Sequence, residues 1–143
     1  MSAVQQPGCS GDNLFTPLDA VQFLTKWWAG SLAGTQTATV KGWAAMTGRH
    51  SPGLDNWLVT PLPATATVYH KAGWIPGSGY NDSHEIGVVH APTGKTYAVA
   101  ILMDGNPTNY YGKQLGFGKY ASCVIYQRFA LPAPDPFASC TPP

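Results

Sequence analysis

Charge is what this sequence has least of. Eight Lys and Arg and seven Asp and Glu make up 10% of 143 residues, against roughly 25% in an average soluble domain. The formal net charge is +1 and the isoelectric point is near 7.7. No basic stripe is present to neutralise a phosphate backbone, so nucleic acid is not an expected partner. No apolar run approaches the roughly 20 residues that cross a bilayer, so no membrane span is expected. The opening residues MSAVQQPGC carry neither a basic n-region nor an apolar h-region, so no signal peptide is visible. Cysteine is sparse too. Cys9, Cys123 and Cys140 allow one disulfide with one thiol left over, or three reduced thiols. Two of the three lie near the termini, where a bridge would hold down ends that fray. Bridging would imply an oxidising destination.

What is abundant is glycine (16), proline (13) and the aromatics, with five Trp, seven Tyr and five Phe in a chain that is 44% hydrophobic. That apolar content argues for a packed core rather than disorder, and 143 residues suit one domain. Residues 1–13 read as an irregular arm, 14–130 as the domain and 131–143 as a Pro-rich tail that cannot be regular structure.

Thr16-Pro-Leu-Asp19 opens a helix, with Thr16 as N-cap, Pro17 at the first helical position and Asp19 at the positive end of the dipole. Leu14, Leu18, Val21, Leu24 or Thr25, and Trp28 give it one apolar face, and Gly30 and Gly34 end it. A second helix spans about 39–47, with Val40, Trp43, Ala44 and Met46 as its apolar side. Residues 54–62 form a loop with one helical turn at most. The period then changes to two. Residues 67–74, 84–91 and 96–103 read as strands, the last two joined by the turn Pro92-Thr-Gly-Lys95 as an antiparallel hairpin. A glycine-rich loop, 75–82, separates the first two, and 117–129 closes the chain as a helix. The expected class is α+β: a three-stranded antiparallel sheet packed with N- and C-terminal helices.

Several tempting patterns fail on spacing. Thr93-Gly-Lys-Thr96 lacks the first P-loop glycine, because Val89 stands there. His84-Glu85 is no zincin helix, since Val88 occupies the second histidine position. His84 and His90 share a strand face but lie roughly 20 Å apart, too far for one metal. Gly77-Ser78-Gly79 has its glycines at the wrong distance for a nucleophile elbow. Neither a metal nor another cofactor is expected.

The informative stretch is Leu62-Pro-Ala-Thr-Ala-Thr-Val-Tyr-His-Lys-Ala-Gly-Trp74, then Asn81-Asp-Ser-His-Glu-Ile-Gly-Val-Val89 and Gly94-Lys-Thr-Tyr-Ala-Val-Ala-Ile-Leu102. It resembles the C-terminal part of the serine β-lactamase and DD-peptidase superfamily, most like its class A branch, over about residues 14–130. Lys71-Ala72-Gly73 stands where that family has Lys-Thr-Gly. Asn81-Asp82 or His84-Glu85 stands where it has an acidic pair. The resemblance implies that Lys71 attracts a substrate carboxylate, that Gly73 lets the substrate backbone come close, and that a backbone N–H on this strand completes an oxyanion hole. Ala72 has no hydroxyl to offer the same carboxylate. Trp74, Tyr80, Asn81, Asp82, His84 and Glu85 are candidate loop contacts. Without a resemblance, Lys71 is an ordinary exposed strand lysine, and Trp74, Tyr80, Tyr110 and Tyr111 are core or interface aromatics.

One element is missing. The family's nucleophile is the serine of Ser-x-x-Lys, whose lysine helps take the serine proton. No serine or threonine here has lysine three residues on, and Ser-Asp-Asn is absent as well. No catalytic residue is therefore assigned. The resemblance also implies that two further strands would pair beside 96–103. Without them that strand is an open edge, apolar on both faces, and other protein chains are expected to cover Thr96–Met103 in a homo- or hetero-oligomer. Three readings result. The first is a non-catalytic structural or cell-wall-contact module, suited to a phage tail or other virion component and placed outside the cytoplasm or in a virion, with peptidoglycan or the cell envelope as target. The second is the C-terminal half of a serine hydrolase whose nucleophile comes from another chain or a missing N-terminal segment. The third is an unrelated α+β binding protein.

Overall fold

A capping box starts the first helix. In the computed structural model, which describes residues 16–50, 57–76, 81–103, 111–131 and 139–143, Asp19 N donates to Thr16 Oγ1 at 3.2 Å while Thr16 N donates to Asp19 Oδ2 at 2.9 Å. Two orphan N–H groups are thereby satisfied, and helix α1 runs over Pro17–Trp28. It ends in a Schellman motif. Gly30 adopts φ +83°, Gly30 N donates to Trp27 O and Ser31 N to Lys26 O. The buried stripe is Ala20, Leu24 and Trp27, rotated from the one expected around Leu18, which is 65% exposed. Leu14 and Met46, the other ends of the expected stripes, lie outside the described side chains.

A short 3₁₀ turn, Gly34–Gln36, leads into α2, Thr37–His50. This helix is longer than the expected 39–47, and Gly48 does not break it. Val40 and Ala44 face the core four residues apart, whereas Trp43, expected beside them, is exposed. Residues 57–62 form turns, as expected for that loop.

The sheet comprises β1 (Thr67–Pro76), β2 (Asn81–His90) and β3 (Thr96–Met103), antiparallel in the order β1-β2-β3. Ile75 and Pro76 extend β1, and Asn81 and Asp82 extend β2, so both ends of the loop expected at 75–82 are strand, and 77–80 lie outside the described residues. Pro76 is tolerated because β1 is an edge strand at its end. The β2–β3 hairpin closes as expected: Gly94, at φ +84°, donates to Ala91 O, and Ala91 N donates to Lys95 O at 2.8 Å. Helix α3, Tyr111–Ala130, begins six residues before the expected start at 117. Its C-terminus is tied to the hairpin by Thr93 Oγ1, which donates to Ala130 O at 2.9 Å. None of the described helices is long and apolar enough to cross a membrane.

Each face of the sheet carries its own cluster. On one, Val88 packs with Leu24 and Trp27, joined by Trp28, Val40, Ala44, Tyr69, Ile86 and Ala98. Lys41 Nζ sits 3.7 Å from the centroid of the Trp28 ring and donates to Trp28 O at 2.8 Å, which holds α2 against the end of α1. On the other, Val68, Val89 and Val99 pack against Trp57, Leu58, Val59 and Leu62 and against Tyr126 and Ala130 of α3. Trp57 lies flat on α3 at Gly118, where a Cβ would come within 2.5 Å of its ring. Cys123 and Cys140 form a disulfide, and Pro143 packs on Gly116, so residues 139–143 lie against α3. Cys9, the expected arm and most of the tail fall outside the described residues.

Candidate functional site

Strand periodicity divides the expected site residues between the two faces. Along β1, Lys71 and Gly73 are exposed and Ala72 between them is buried. The register sets Lys71 opposite Ile86, Ala72 opposite Glu85 and Gly73 opposite His84. Lys71, Gly73 and His84 therefore share the face that carries α1 and α2. Ala72 and Glu85 belong to the face that carries α3.

On the shared face, Lys71 Nζ donates to the Ala72 carbonyl. At Gly73 no described atom, apart from its two chain neighbours, lies within 4 Å of where a Cβ would stand. His84 is partly buried, and its Nδ1 accepts the Met103 N–H at 3.2 Å. Lys71 thus stands along the strand from Gly73 and His84 directly across from it.

Glu85 departs from its expected role as a loop contact. Its side chain is fully buried, paired with His70, and its Oε2 accepts the Leu58 N–H at 2.9 Å. Leu58 O in turn accepts from Ser122 Oγ at 2.6 Å. A polar chain thus links β1, β2, the 57–62 turns and α3 inside an otherwise apolar layer. A buried carboxylate persists only when it is paired and hydrogen-bonded, which His70 and Leu58 accomplish here. The sequence reading missed this pair. The signal was there: His70 alternates in phase with Val68 and Ala72, and Glu85 with Gly87 and Val89, so two polar residues fall at core parity. Ala72 likewise turns its methyl inward, and only its backbone is available to a ligand on the exposed side. Of the remaining candidates, Tyr80 and the side chains of Trp74, Asn81 and Asp82 lie outside the described residues, as do Tyr110 and the side chain of Tyr111.

On the α3 face, burial and the neighbouring Tyr126 raise the pKa of the Tyr97 phenol, and burial raises that of Tyr126. Both hydroxyls stay protonated at physiological pH. Among the described residues no group of three His, Cys, Asp or Glu side chains could hold a metal ion.

The fold has known counterparts. A β-lactamase from Sphaerobacter thermophilus DSM 20745 superposes with a TM-score of 0.59 at 20% identity, covering 90% of this chain and 46% of that one. A class A β-lactamase representative from Bacteroides cellulosilyticus DSM 14838 gives 0.58 at 22% identity, over 77% and 42%. A β-lactamase from Chitinophaga pinensis DSM 2588 gives 0.58 at 23%, over 70% and 37%. The chain thus spans less than half the length of these solved proteins, and the shared feature is the fold. A sequence search of curated proteins finds no match. The profile of the family described as the beta-lactamase enzyme family matches residues 2–129, nearly the whole chain, which therefore belongs to that family.

Proposed function

We propose that these 143 residues are the strand side of a peptidoglycan-directed serine-hydrolase fold, acting as a ligand- or wall-contact module without a nucleophile of its own. One juxtaposition carries the reading. An exposed Lys71 and an open Gly73 stand on a β-lactamase-like strand, in a chain where no serine or threonine has lysine three residues on. A peptide-like ligand running along β1 would pair with its backbone, and Lys71 would attract the ligand's carboxylate. Acylation needs an activated hydroxyl beside a base, and that combination is not encoded at the family's spacing. The β3 edge supports the same reading from another side. Among the described residues β3 pairs only with β2, and its side chains are apolar on both faces, so a further protein segment, from this or another kind of chain, is the expected cover.

A second reading is favoured by the coverage of 37–46% of the solved β-lactamases. In it, the same surface completes an active site whose serine comes from residues outside these 143. Intact-protein mass spectrometry after incubation with a reactive fluorescent penicillin separates the two, run on the chain alone and with its co-purifying partners. The proposed module gives no adduct anywhere. An adduct on a partner establishes the second reading, and an adduct on this chain overturns the claim that it lacks a nucleophile.

A further inference from the structure

We propose that this chain pairs with a second copy of itself along the outer edge of β3, joining two three-stranded sheets into one antiparallel sheet about a two-fold axis at Val99. The inference rests on the β3 edge described above and not on the Lys71 strand, so its failure leaves the ligand-contact reading untouched.

Three observations lead to it. The first is what the edge presents. The hairpin closes with Ala91 N donating to Lys95 O, and antiparallel bonding alternates from there. Tyr97, Val99 and Ile101 thus turn their backbone groups to β2, and Met103 N, in phase with them, donates to His84 on β2. Thr96, Ala98, Ala100 and Leu102 turn theirs to the outer edge, where among the described residues no strand meets them. The strand holds no charge and no proline, two devices that commonly block an edge. A two-fold axis at Val99 sets Ala98 opposite the partner's Ala100 and Thr96 opposite the partner's Leu102, so every outward group in the overlap meets its complement. The same register sets Tyr97 opposite the partner's Ile101 on the α3 side, an aromatic and β-branched pair.

The second observation is what flanks the edge. In α1, Ala20, Leu24 and Trp27 face the sheet, and Trp28, one step round the helix, meets Tyr69 of β1 with ring centroids 5.0 Å apart. β1 lies at the far side of the sheet from the outer edge of β3. The opposite flank of α1, with Asp19, Phe23 and Lys26 at i, i+4 and i+7, therefore borders that edge. Phe23 and Lys26 are exposed. On the other face, Phe129 of α3 stacks on Tyr97 at 5.8 Å and is exposed as well. The third observation is charge. An axis normal to the sheet makes the two α1 helices antiparallel. Leu24, beside Phe23, packs in one cluster with Ala98, next to Val99, so Phe23 lies near the axis. Asp19 of one copy then meets Lys26 of the other, twice by symmetry. Strands are roughly 4.8 Å apart, so two α1 helices, each seated over its own β3 and β2, come to about the 8–10 Å of packed helices. That self-matching stripe favours a second copy over a foreign strand.

The test is sedimentation velocity of the 143-residue chain combined with amide hydrogen exchange. We expect a species of twice the 15.2 kDa chain mass at about 100 µM that dissociates on dilution. In it the Ala98, Ala100 and Leu102 amides are protected, and dilution removes that protection while Val99 and Ile101 keep theirs. Ala100→Pro deletes an outward N–H that β2 does not use and should abolish the dimer. Phe23→Ser should weaken it at least about tenfold, and Lys26→Glu, which sets like charges together, about tenfold, with added salt narrowing the gap. Should Ala100→Pro lose its fold by circular dichroism, the two α1 variants and the exchange pattern decide, since both change exposed side chains. A monomer at that concentration with protected Ala98 and Ala100 amides means that another segment of the same chain covers the edge, which overturns the proposal. A monomer whose edge amides exchange freely overturns it too and leaves the edge to a different partner. A dimer that Ala100→Pro, Phe23→Ser and Lys26→Glu all leave intact is built on another surface and equally refutes the β3 assignment.

Discussion

The two faces of the sheet alternate residue by residue along the same strands yet solve opposite problems. The face toward α3 is closed. Glu85, Gly87 and Val89 of β2 are all buried there, and the one acidic side chain is paired with His70 and bonded to Leu58 N. The face toward α1 and α2 is closed over Val88, Ile86, Tyr69 and Ala98, and among the described side chains it is exposed at Lys71 and Gly73 and half-buried at His84. The contrast teaches that a short motif such as Lys-Ala-Gly is two half-motifs, one for each side of the sheet. Substitutions at neighbouring positions should therefore diverge sharply.

The sharpest break comes at Glu85. Removing it takes the carboxylate away from His70 and leaves the Leu58 N–H without its acceptor inside the apolar layer. We expect Glu85→Ala to cost about 3–5 kcal/mol, enough to unfold much of a marginal domain, by urea denaturation. A loss under about 1 kcal/mol would mean that water reaches the pair.

Two glycines on opposite faces sharpen the comparison further. A Cβ at Gly87 would lie 2.8 Å from Tyr69 O and 2.9 Å from His70 Cβ, and backbone cannot step aside. Gly87→Ala should cost about 1–3 kcal/mol as overpacking. Gly73→Ala meets nothing and has no positive φ to violate, so it should stabilise by about 0.4–1 kcal/mol through the unfolded chain. Opposite signs in one pair of melting curves are the expected result.

A smaller effect follows from Tyr97. Its pKa is raised in the folded state by burial and by Tyr126, so the native protein keeps a proton that the unfolded chain releases near pH 10. The native state's advantage is whole below that pH and shrinks as pH rises above it. The melting temperature should fall between about pH 9 and pH 11, and Tyr97→Phe should flatten the fall. The smallest effect belongs to Lys71. On the open face, Lys71→Ala should shift stability by no more than about 0.5 kcal/mol while removing the cation that a ligand would meet. A large destabilisation there would make Lys71 structural.

Local signals were the most legible. The Thr16–Asp19 cap, Gly30 and the Gly94 turn each solve a problem within five residues, and each formed as the residues dictate. Where tertiary packing decided, the sequence misled. Gly112 and Gly116 weaken the case for helix before 117, yet α3 starts at Tyr111, and Gly118 within it lets Trp57 lie against the helix. Trp43 looks like core by type, but α1 and the sheet take Val40 and Ala44 instead. At the candidate site, Lys71 and Gly73 were legible from the motif. The inward turn of Glu85 was legible only from its parity with Gly87 and Val89, and the facing of His84 to Gly73 depends on register, which the motif does not state.

The Cys123–Cys140 bond joins positions 17 residues apart, and Cys140 itself is buried against the helix. A protease that cuts the chain anywhere between these two cysteines therefore releases nothing. The nicked molecule keeps its mass, apart from one water gained, and runs as a single species until a reductant is added. A clipped preparation would pass for intact on a non-reducing gel, and only the reduced lane would reveal the cut.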